Sequence, residues 1–133
     1  MKVAIFENEF DEMKSAFLGF NLLYYNKSLE FIPFASSQAF GDIKKLSNFD
    51  YVLIDIDLSK NSKLDGFQLM AQMMQDKDIT KIKPIILTGQ PPVKEKLKAR
   101  NLPEFPIIFK PLVYTQIQDS FQRAKAIDTY RTN

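Results

Sequence analysis

The chain has 133 residues, of which 45% are hydrophobic and 26% are charged, which is the size and composition of one ordinary globular domain over residues 1–133. Its net charge of +2 is too small to favour binding to nucleic acid or to an anionic membrane surface. The sequence contains no Cys and no His, which excludes disulfides, zinc and haem sites, and nucleophiles that depend on a thiolate or an imidazole. Any chemistry must therefore rely on carboxylates, hydroxyls, lysine and backbone groups.

The apolar runs of the sequence are short, whereas a bilayer-spanning helix needs about 20 apolar residues. The N-terminal residues Met1 to Phe6 lead directly into an apolar run and lack the pattern of a signal peptide. We therefore expect a soluble, cytoplasmic protein with no membrane partner.

Short apolar runs alternate five times with longer amphipathic stretches, which is typical of a parallel sheet with crossover helices. The predicted strands are Val3 to Phe6, Leu29 to Phe34, Tyr51 to Ile54, Pro84 to Leu87, and Ile107 to Phe109. The third run is apolar without alternation, as expected for a central strand that is covered on both faces. The fold class is therefore α/β, with a single doubly wound sheet of five parallel strands and five helices.

The five helices are predicted from the spacing of apolar residues between these strands. They run from about Phe10 to Tyr24, from Ser36 or Ser37 through Leu46, after Gly66 through Met74, from Pro91 and Pro92 to about Arg100, and from Leu112 through Ala124 or Ile127. In the first helix, the three-to-four spacing places Met13, Phe17, Phe20 and Tyr24 on one apolar face. Ser36 or Ser37 is the predicted N-cap of the second helix.

Polar residues follow four of the strands at the point where each strand ends. They are Glu7, Asn8 and Glu9 after the first strand, Asp55 after the third, Thr88 after the fourth and Lys110 after the fifth. Because the carboxyl ends of parallel strands form one edge of the sheet, where ligands bind, we expect these groups to lie together. Oxygen ligands without imidazole or thiolate favour a hard cation such as Mg²⁺.

A carboxylate beside such a cation can act as a nucleophile toward phosphorus and form an aspartyl phosphate. The Thr88 hydroxyl could then donate to one phosphoryl oxygen, and the Lys110 ammonium could neutralise another, since phosphoryl transfer depends chiefly on positioning and charge compensation. The four residue types at four strand ends therefore indicate phosphoryl chemistry more strongly than any one of them does.

Five segments carry this arrangement: Val3 to Glu9, Asp50 to Leu58, Asp65 to Phe67, Pro84 to Gly89, and Phe109 to Pro111. Together they resemble the receiver domains of two-component response regulators, over essentially the whole chain. The resemblance implies a flavodoxin-like fold with strand order 2-1-3-4-5. Because one domain accounts for the 133 residues, we also expect no attached output domain.

The resemblance further implies a role for each site residue. Asp55 matches the phosphoacceptor, and Glu7 and Asn8 match the acidic pair that holds Mg²⁺. The carbonyl of Asp57 matches the backbone metal ligand. Thr88 matches the phosphate-sensing hydroxyl, and Lys110 matches the lysine that precedes a cis proline, here Pro111. Asp57 and Gln90 match positions that tune the lifetime of the phosphorylated state.

The implied function is that of a stand-alone receiver. It would accept a phosphoryl group on Asp55 from a histidine kinase or a histidine phosphotransfer protein in two-component phosphorelay signalling. With no output domain expected, it would then act by binding a downstream protein.

Three departures from the family pattern support an alternative. The acidic pair is Glu7-Asn8, the loop from Ser59 to Leu64 lacks the usual proline and is about two residues longer, and Ile107 replaces the usual aromatic residue of the fifth strand. The alternative is a degenerate receiver that binds a partner, independently of phosphorylation, through its fourth helix, fifth strand and fifth helix. A flavodoxin-like small-ligand binder is less favoured, because no Gly-rich phosphate loop follows any strand.

Overall fold

Five parallel strands form one sheet in the computed structural model, which describes residues 1–58, 61–79, 81–89 and 93–127. The strands are β1 (Lys2–Phe6), β2 (Glu30–Phe34), β3 (Tyr51–Asp55), β4 (Lys83–Thr88) and β5 (Ile107–Phe109). Their order in the sheet is β2-β1-β3-β4-β5, and every neighbouring pair is parallel. This confirms the α/β class and the strand order that the sequence resemblance implies.

Helices cover both faces of the sheet. They are α1 (Phe10–Tyr25), α2 (Ser37–Phe40), α3 (Gly66–Gln75), α4 (Val93–Ala99) and α5 (Tyr114–Ala126), and two short 3-10 helices span Ile43–Asn48 and Lys77–Ile79. Within the described residues, no helix is long and apolar enough to cross a bilayer.

The alternation of side chains along each strand divides the core into two layers. Val3 and Ile5 of β1 belong to one layer, together with Phe17 and Phe20 of α1 and Phe121 of α5. Ala4 and Phe6, the alternate residues of β1, point to the opposite face. They pack there in a second layer with residues of α3 and α4. Because β1, β3 and β4 are covered on both faces, their apolar runs show no alternation with polar residues.

The prediction of one continuous second helix is wrong, because the chain forms α2 and then a separate 3-10 helix. Gly41 adopts a φ of 88°, which ends α2, and the Asp42 side chain caps the 3-10 helix by accepting the amide of Lys44. Ser36 is the N-cap of α2, since its hydroxyl accepts the amide of Ala39 at 3.1 Å. Ser37 is instead the first helical residue.

Two further helix predictions are corrected by the structure. The apolar spacing predicts Tyr24 on the buried face of α1, but this residue is 41% exposed, and the buried polar residue of that helix is Asn21. The fifth helix begins at Tyr114, so Leu112 precedes it. Gln90 and the predicted helix-starting prolines Pro91 and Pro92 lie outside the described residues.

Candidate functional site

The candidate site lies at the edge of the sheet formed by the carboxyl ends of the strands. Asp55 is the last residue of β3 and Thr88 is the last residue of β4, while Glu7 and Lys110 directly follow β1 and β5. The parallel register aligns these ends, since Phe6 pairs with Ile54. Thr88 is likewise paired with a strand end, because it lies opposite Phe109. The order of the strands therefore brings residues that are distant in sequence to one place.

The Lys110 ammonium joins the two carboxylates of the site. Its Nζ atom lies 2.7 Å from Oε2 of Glu7 and 3.1 Å from Oδ2 of Asp55. Glu7 and Asp55 are 2% and 3% exposed, so both acids are almost completely removed from solvent. A quarter of the Lys110 side chain remains accessible. The result is a buried cluster of two acids and one cation that opens to solvent on the lysine side.

Backbone amides hold the second oxygen of each carboxylate. Oε1 of Glu7 accepts the amide of Glu9 at 3.0 Å, and Oδ1 of Asp55 accepts the amide of Asp57 at 2.9 Å. Each carboxylate thus bonds to Lys110 through one oxygen and to the amide two residues ahead through the other. This arrangement fixes the orientation of both acids and satisfies charged groups that would be costly to bury without partners.

Burial and mutual repulsion shape the electrostatics of this cluster. Desolvation, together with the adjacent Asp55 side chain, raises the pKa of Glu7 to about 7, although the hydrogen bond from Lys110 opposes the shift. Burial acts to lower the pKa of Lys110, but the hydrogen bond to Glu7 and the charge of Asp55 outweigh it, so that pKa is raised. One cation does not fully compensate two buried carboxylates, so the site favours an additional positive charge.

The other predicted site residues differ in burial. Thr88 is completely buried, and its carbonyl accepts the amide of Lys110 at 2.7 Å, which connects the ends of β4 and β5. Asn8 and Asp57 are exposed beside the buried acids. The peptide bond between Lys110 and Pro111 is cis, as the sequence resemblance predicts.

The donor chemistry of the site suits a hard cation. Glu7, Asp55, the Asn8 amide and the Asp57 carbonyl offer oxygen atoms only, which are the ligands that Mg²⁺ prefers. Across the described ranges, no group of three or more His, Cys, Asp or Glu side chains is placed to hold a metal ion. A cation here would therefore rely on two carboxylates, neutral oxygens and water, and Mg²⁺ commonly keeps several of its waters in proteins.

Three features of the site do not follow from the sequence reasoning. The amides of Glu9 and Asp57 orient the acids, and Gly66 lets the start of α3 approach Asp55 closely. A Cβ atom at Gly66 would lie 2.4 Å from the Asp55 carbonyl oxygen and 2.6 Å from the Cα atom of Ile56. The Asp65-Gly66 pair belongs to the motifs of the resemblance, but the contact depends on how α3 packs, which one sequence does not reveal.

Comparison with known proteins identifies the fold through solved structures only. No protein-family model matches the chain, and no curated protein sequence matches it. The solved structures it resembles include the signal receiver domain of the DNA-binding response regulator merR from Colwellia psychrerythraea 34H. That similarity has a TM-score of 0.74 and 16% identity, and it covers 96% of this chain and 99% of the other.

Two further structures agree with that one. The bacteriophytochrome response regulator RtBRR matches with a TM-score of 0.73 and 17% identity over 99% of this chain and 81% of that one. The response regulatory domain of mrkE from Klebsiella pneumoniae matches with a TM-score of 0.65 and 22% identity, covering 94% of this chain and 95% of that one. The fold is therefore that of the response regulator receiver domains.

Proposed function

We propose that the chain is a receiver that accepts a phosphoryl group on Asp55. The observation that carries the proposal is the buried cluster in which Lys110 bonds to both Glu7 and Asp55. A receiver-like fold alone is compatible with many functions, because function resides in a site rather than in a fold. The cluster supplies a nucleophilic carboxylate, a cation beside it and acidic groups that attract a metal ion.

The proposed reaction is a direct phosphoryl transfer. A carboxylate oxygen of Asp55 forms a bond to the phosphorus of the donor, and the bond from phosphorus to the leaving group breaks. The electron pair of that bond leaves with acetate when acetyl phosphate is the donor, or with the imidazole nitrogen, which then takes a proton, when the donor is a phosphohistidine. The product is an aspartyl phosphate.

The remaining residues of the site would position the group and compensate its charge. Lys110 would pair with one phosphoryl oxygen, and the Thr88 hydroxyl would donate to another. Glu7, Asn8, Asp55 and the Asp57 carbonyl would hold Mg²⁺. When bound, Mg²⁺ supplies the positive charge that allows an anionic phosphoryl group to approach two buried carboxylates.

The partners follow from this chemistry. A phosphohistidine on a histidine kinase or a histidine phosphotransfer protein is the expected natural donor, in a two-component phosphorelay of the cytoplasm. A downstream protein would then bind the phosphorylated chain.

The test is incubation with Mg²⁺ and acetyl phosphate, followed by intact-mass measurement. The wild-type chain should gain the mass of one phosphoryl group as an acid-stable, base-labile adduct. Asp55→Asn should abolish the gain while leaving the circular dichroism spectrum unchanged. Asp119→Asn is the matched control, since Asp119 is an exposed acid of α5 that takes no part in the site.

Three results would overturn the proposal or its details. Failure to phosphorylate with acetyl phosphate and with a panel of phosphohistidine donors would favour the degenerate receiver instead. An adduct that forms equally well on Asp55→Asn would show that another residue is the nucleophile. An adduct that forms equally well after chelation of Mg²⁺ would remove the metal from the reaction.

A further inference from the structure

The first residues of α2 are tied to the chain segment that precedes α3. The amide of Ser37 donates to the Ser62 hydroxyl at 2.8 Å, and the Ser37 hydroxyl accepts the amide of Leu64 at 3.0 Å. Ser37 is 8% exposed, so these bonds lie mostly out of solvent. Both of these bonds involve a backbone amide, and a third hydrogen bond runs from the Ser62 hydroxyl to the Ser37 hydroxyl at 3.2 Å.

Gln38 adds two more bonds to the same segment. Its Oε1 atom accepts the amide of Lys63 at 2.8 Å, and its Nε2 atom donates to the carbonyl of Asn61. We call the four hydrogen bonds between Ser37, Gln38 and the 61–64 segment that involve a backbone group the α2 latch. All four involve at least one backbone group of the segment or of α2, so the latch fixes the main chain.

The segment held by the latch is also linked to the candidate phosphoacceptor. Upstream, the amide of Asp57 donates to Oδ1 of Asp55. Downstream, Asp65 caps α3, and Gly66 lies so close to Asp55 that an added Cβ would meet the Asp55 carbonyl oxygen at 2.4 Å. A change at Asp55 therefore reaches the start of α3, which directly follows the 61–64 segment held by the α2 latch.

A second route joins α2 to the same edge of the sheet. The Phe40 ring of α2 lies 5.4 Å from the ring of Phe6, which directly precedes Glu7, and 4.7 Å from the ring of Phe34. Phe6 is completely buried, so this contact cannot relax freely into solvent. Helix α2 thus contacts the residue before Glu7 through its packed aromatic end, and the segment before α3 through the hydrogen bonds at its start.

We infer that α2 reports the phosphorylation of Asp55 and that the latch of Ser37 and Gln38 to the 61–64 segment carries the signal. The inference rests on the proposed function. Phosphorylation removes the negative charge that the two carboxylate oxygens of Asp55 share, and it adds a bulky, anionic phosphoryl group at a position that is 3% exposed. The Asp55 backbone shifts against Gly66, the start of α3 moves with it, and the latch in the adjoining 61–64 segment loosens.

The latch also borders a cavity between two helices. A cavity of about 430 Å³ lies between α2 and α3, and Gln38, Lys63 and Gln72 are among its lining residues. Because Gln38 and Lys63 bond to each other across this cavity wall, loosening of the latch changes its shape.

The test compares amide resonances of the full chain with and without Mg²⁺ and acetyl phosphate, with the phosphorylated fraction measured by intact mass. In the wild type, phosphorylation should shift the amides of Ser37 to Phe40 and accelerate hydrogen exchange at the Lys63 and Leu64 amides. In the double variant Ser37→Ala with Gln38→Ala, phosphorylation should remain unchanged. The shifts in α2 should fall to less than about a third, because three of the four latch bonds are lost.

Gln72→Ala is the matched control, since Gln72 lines the same cavity without taking part in the latch. It should keep the full wild-type response. Ser62→Ala provides a second variant if the double variant is poorly folded, and it should give a partial loss of the α2 shifts.

The possible failures are distinct. A wild-type chain that carries no phosphoryl group rejects the proposed function and this inference with it. A phosphorylated wild type with unshifted α2 amides rejects the inference alone. Equal α2 shifts in the wild type and the double variant would show that the signal reaches α2 without the latch.

Discussion

Lys110 Nζ lies 2.7 Å from Glu7 Oε2, although the two residues are 103 positions apart in the sequence. The same ammonium contacts Asp55, so one side chain balances two buried acids. This contact connects the first and last strands of the chain at the edge of the sheet. Its energetic importance depends on the burial of the acids, because an unpaired buried charge is far more costly than an exposed one.

Removal of the ammonium should therefore destabilise the protein. We predict that Lys110→Met lowers the free energy of unfolding by about 2–4 kcal/mol at pH 8, because Glu7 and Asp55 remain buried without their cation. Saturating Mg²⁺ should restore part of the loss, because an ion held by these carboxylates would stabilise only the folded state. Urea denaturation with and without Mg²⁺ measures both effects. Lys98→Met, at an exposed position of α4, is the control and should change stability little. A Lys110 variant as stable as the control would contradict the account of the cluster.

The raised pKa of Glu7 predicts how stability depends on pH. The folded protein binds the Glu7 proton more tightly than the unfolded chain, since the pKa rises from 4.5 to about 7. Its stabilising contribution is fully present below pH 4.5 and is lost as the pH rises through about 7. The loss in the free energy of unfolding is roughly 3 kcal/mol at most, because each tenfold difference in proton affinity between the two states corresponds to about 1.4 kcal/mol.

Glu7→Gln should flatten this part of the stability profile, because the amide does not titrate. Urea denaturation without Mg²⁺ at a series of pH values is the measurement. Glu9→Gln is the matched control, since Glu9 is exposed. We expect its profile to follow the wild type. The assignment to Glu7 fails if the two variants give the same slope between pH 4.5 and 7.

The strands were predictable because β1, β3 and β4 are uninterrupted apolar runs, which one sequence displays directly. The proximity of Glu7, Asp55 and Lys110 followed from placing polar residues at parallel strand ends. The order of the strands did not follow from these patterns, and it came from the resemblance of whole motifs to receiver domains. The alternation of strands and helices along the chain is by itself compatible with several orders of five parallel strands in the sheet.

Other features depend on tertiary contacts that periodicity does not reveal. Asn21 is polar, yet it is buried because its side chain bonds to both the carbonyl and the amide of Leu29, at 2.8 and 3.1 Å. Tyr24 has the spacing of a core residue, but it lies near the end of α1 and is largely exposed. The amide bonds that orient Glu7 and Asp55 likewise depend on the conformation of the following turns.

The neutral amide in the predicted metal site allows a test by added charge. Asn8→Asp should raise the affinity for Mg²⁺ on the order of tenfold, because the number of charged ligands is a main determinant of affinity at such sites. A Mg²⁺ titration followed by amide shifts should show saturable changes at Glu7, residue 8 and Asp55 in both proteins. Asn26→Asp adds the same charge at the end of α1 and is the control. If Asn8→Asp and Asn26→Asp bind Mg²⁺ with equal affinity, either the ion binds elsewhere or the gain in affinity is a general effect of net charge.

The packing of α3 against Asp55, the proposed phosphoacceptor, gives a test that needs no ligand. A Cβ atom at Gly66 would lie 2.4 Å from the Asp55 carbonyl oxygen, and that atom belongs to the backbone and cannot rotate away. At Gly89, the nearest neighbour of an added Cβ is the Lys110 Cβ at 3.9 Å, an ordinary contact. We predict that Gly66→Ala lowers the free energy of unfolding by about 1–3 kcal/mol, as expected for overpacking. Gly89→Ala should cost much less.

The two glycine variants should also differ in chemistry. In Gly66→Ala, the displaced backbone moves the Asp55 carboxyl group relative to Lys110, so the rate of phosphorylation by acetyl phosphate should fall by about tenfold or more, since misplacement by about 1 Å is costly in catalysis. Gly89→Ala should react within a factor of about two of wild type, because its added methyl group meets only ordinary van der Waals contacts. Urea denaturation and time-resolved intact mass on the same samples separate the two effects. If Gly66→Ala is destabilised but reacts at the wild-type rate, the close approach of α3 supports the fold without positioning Asp55.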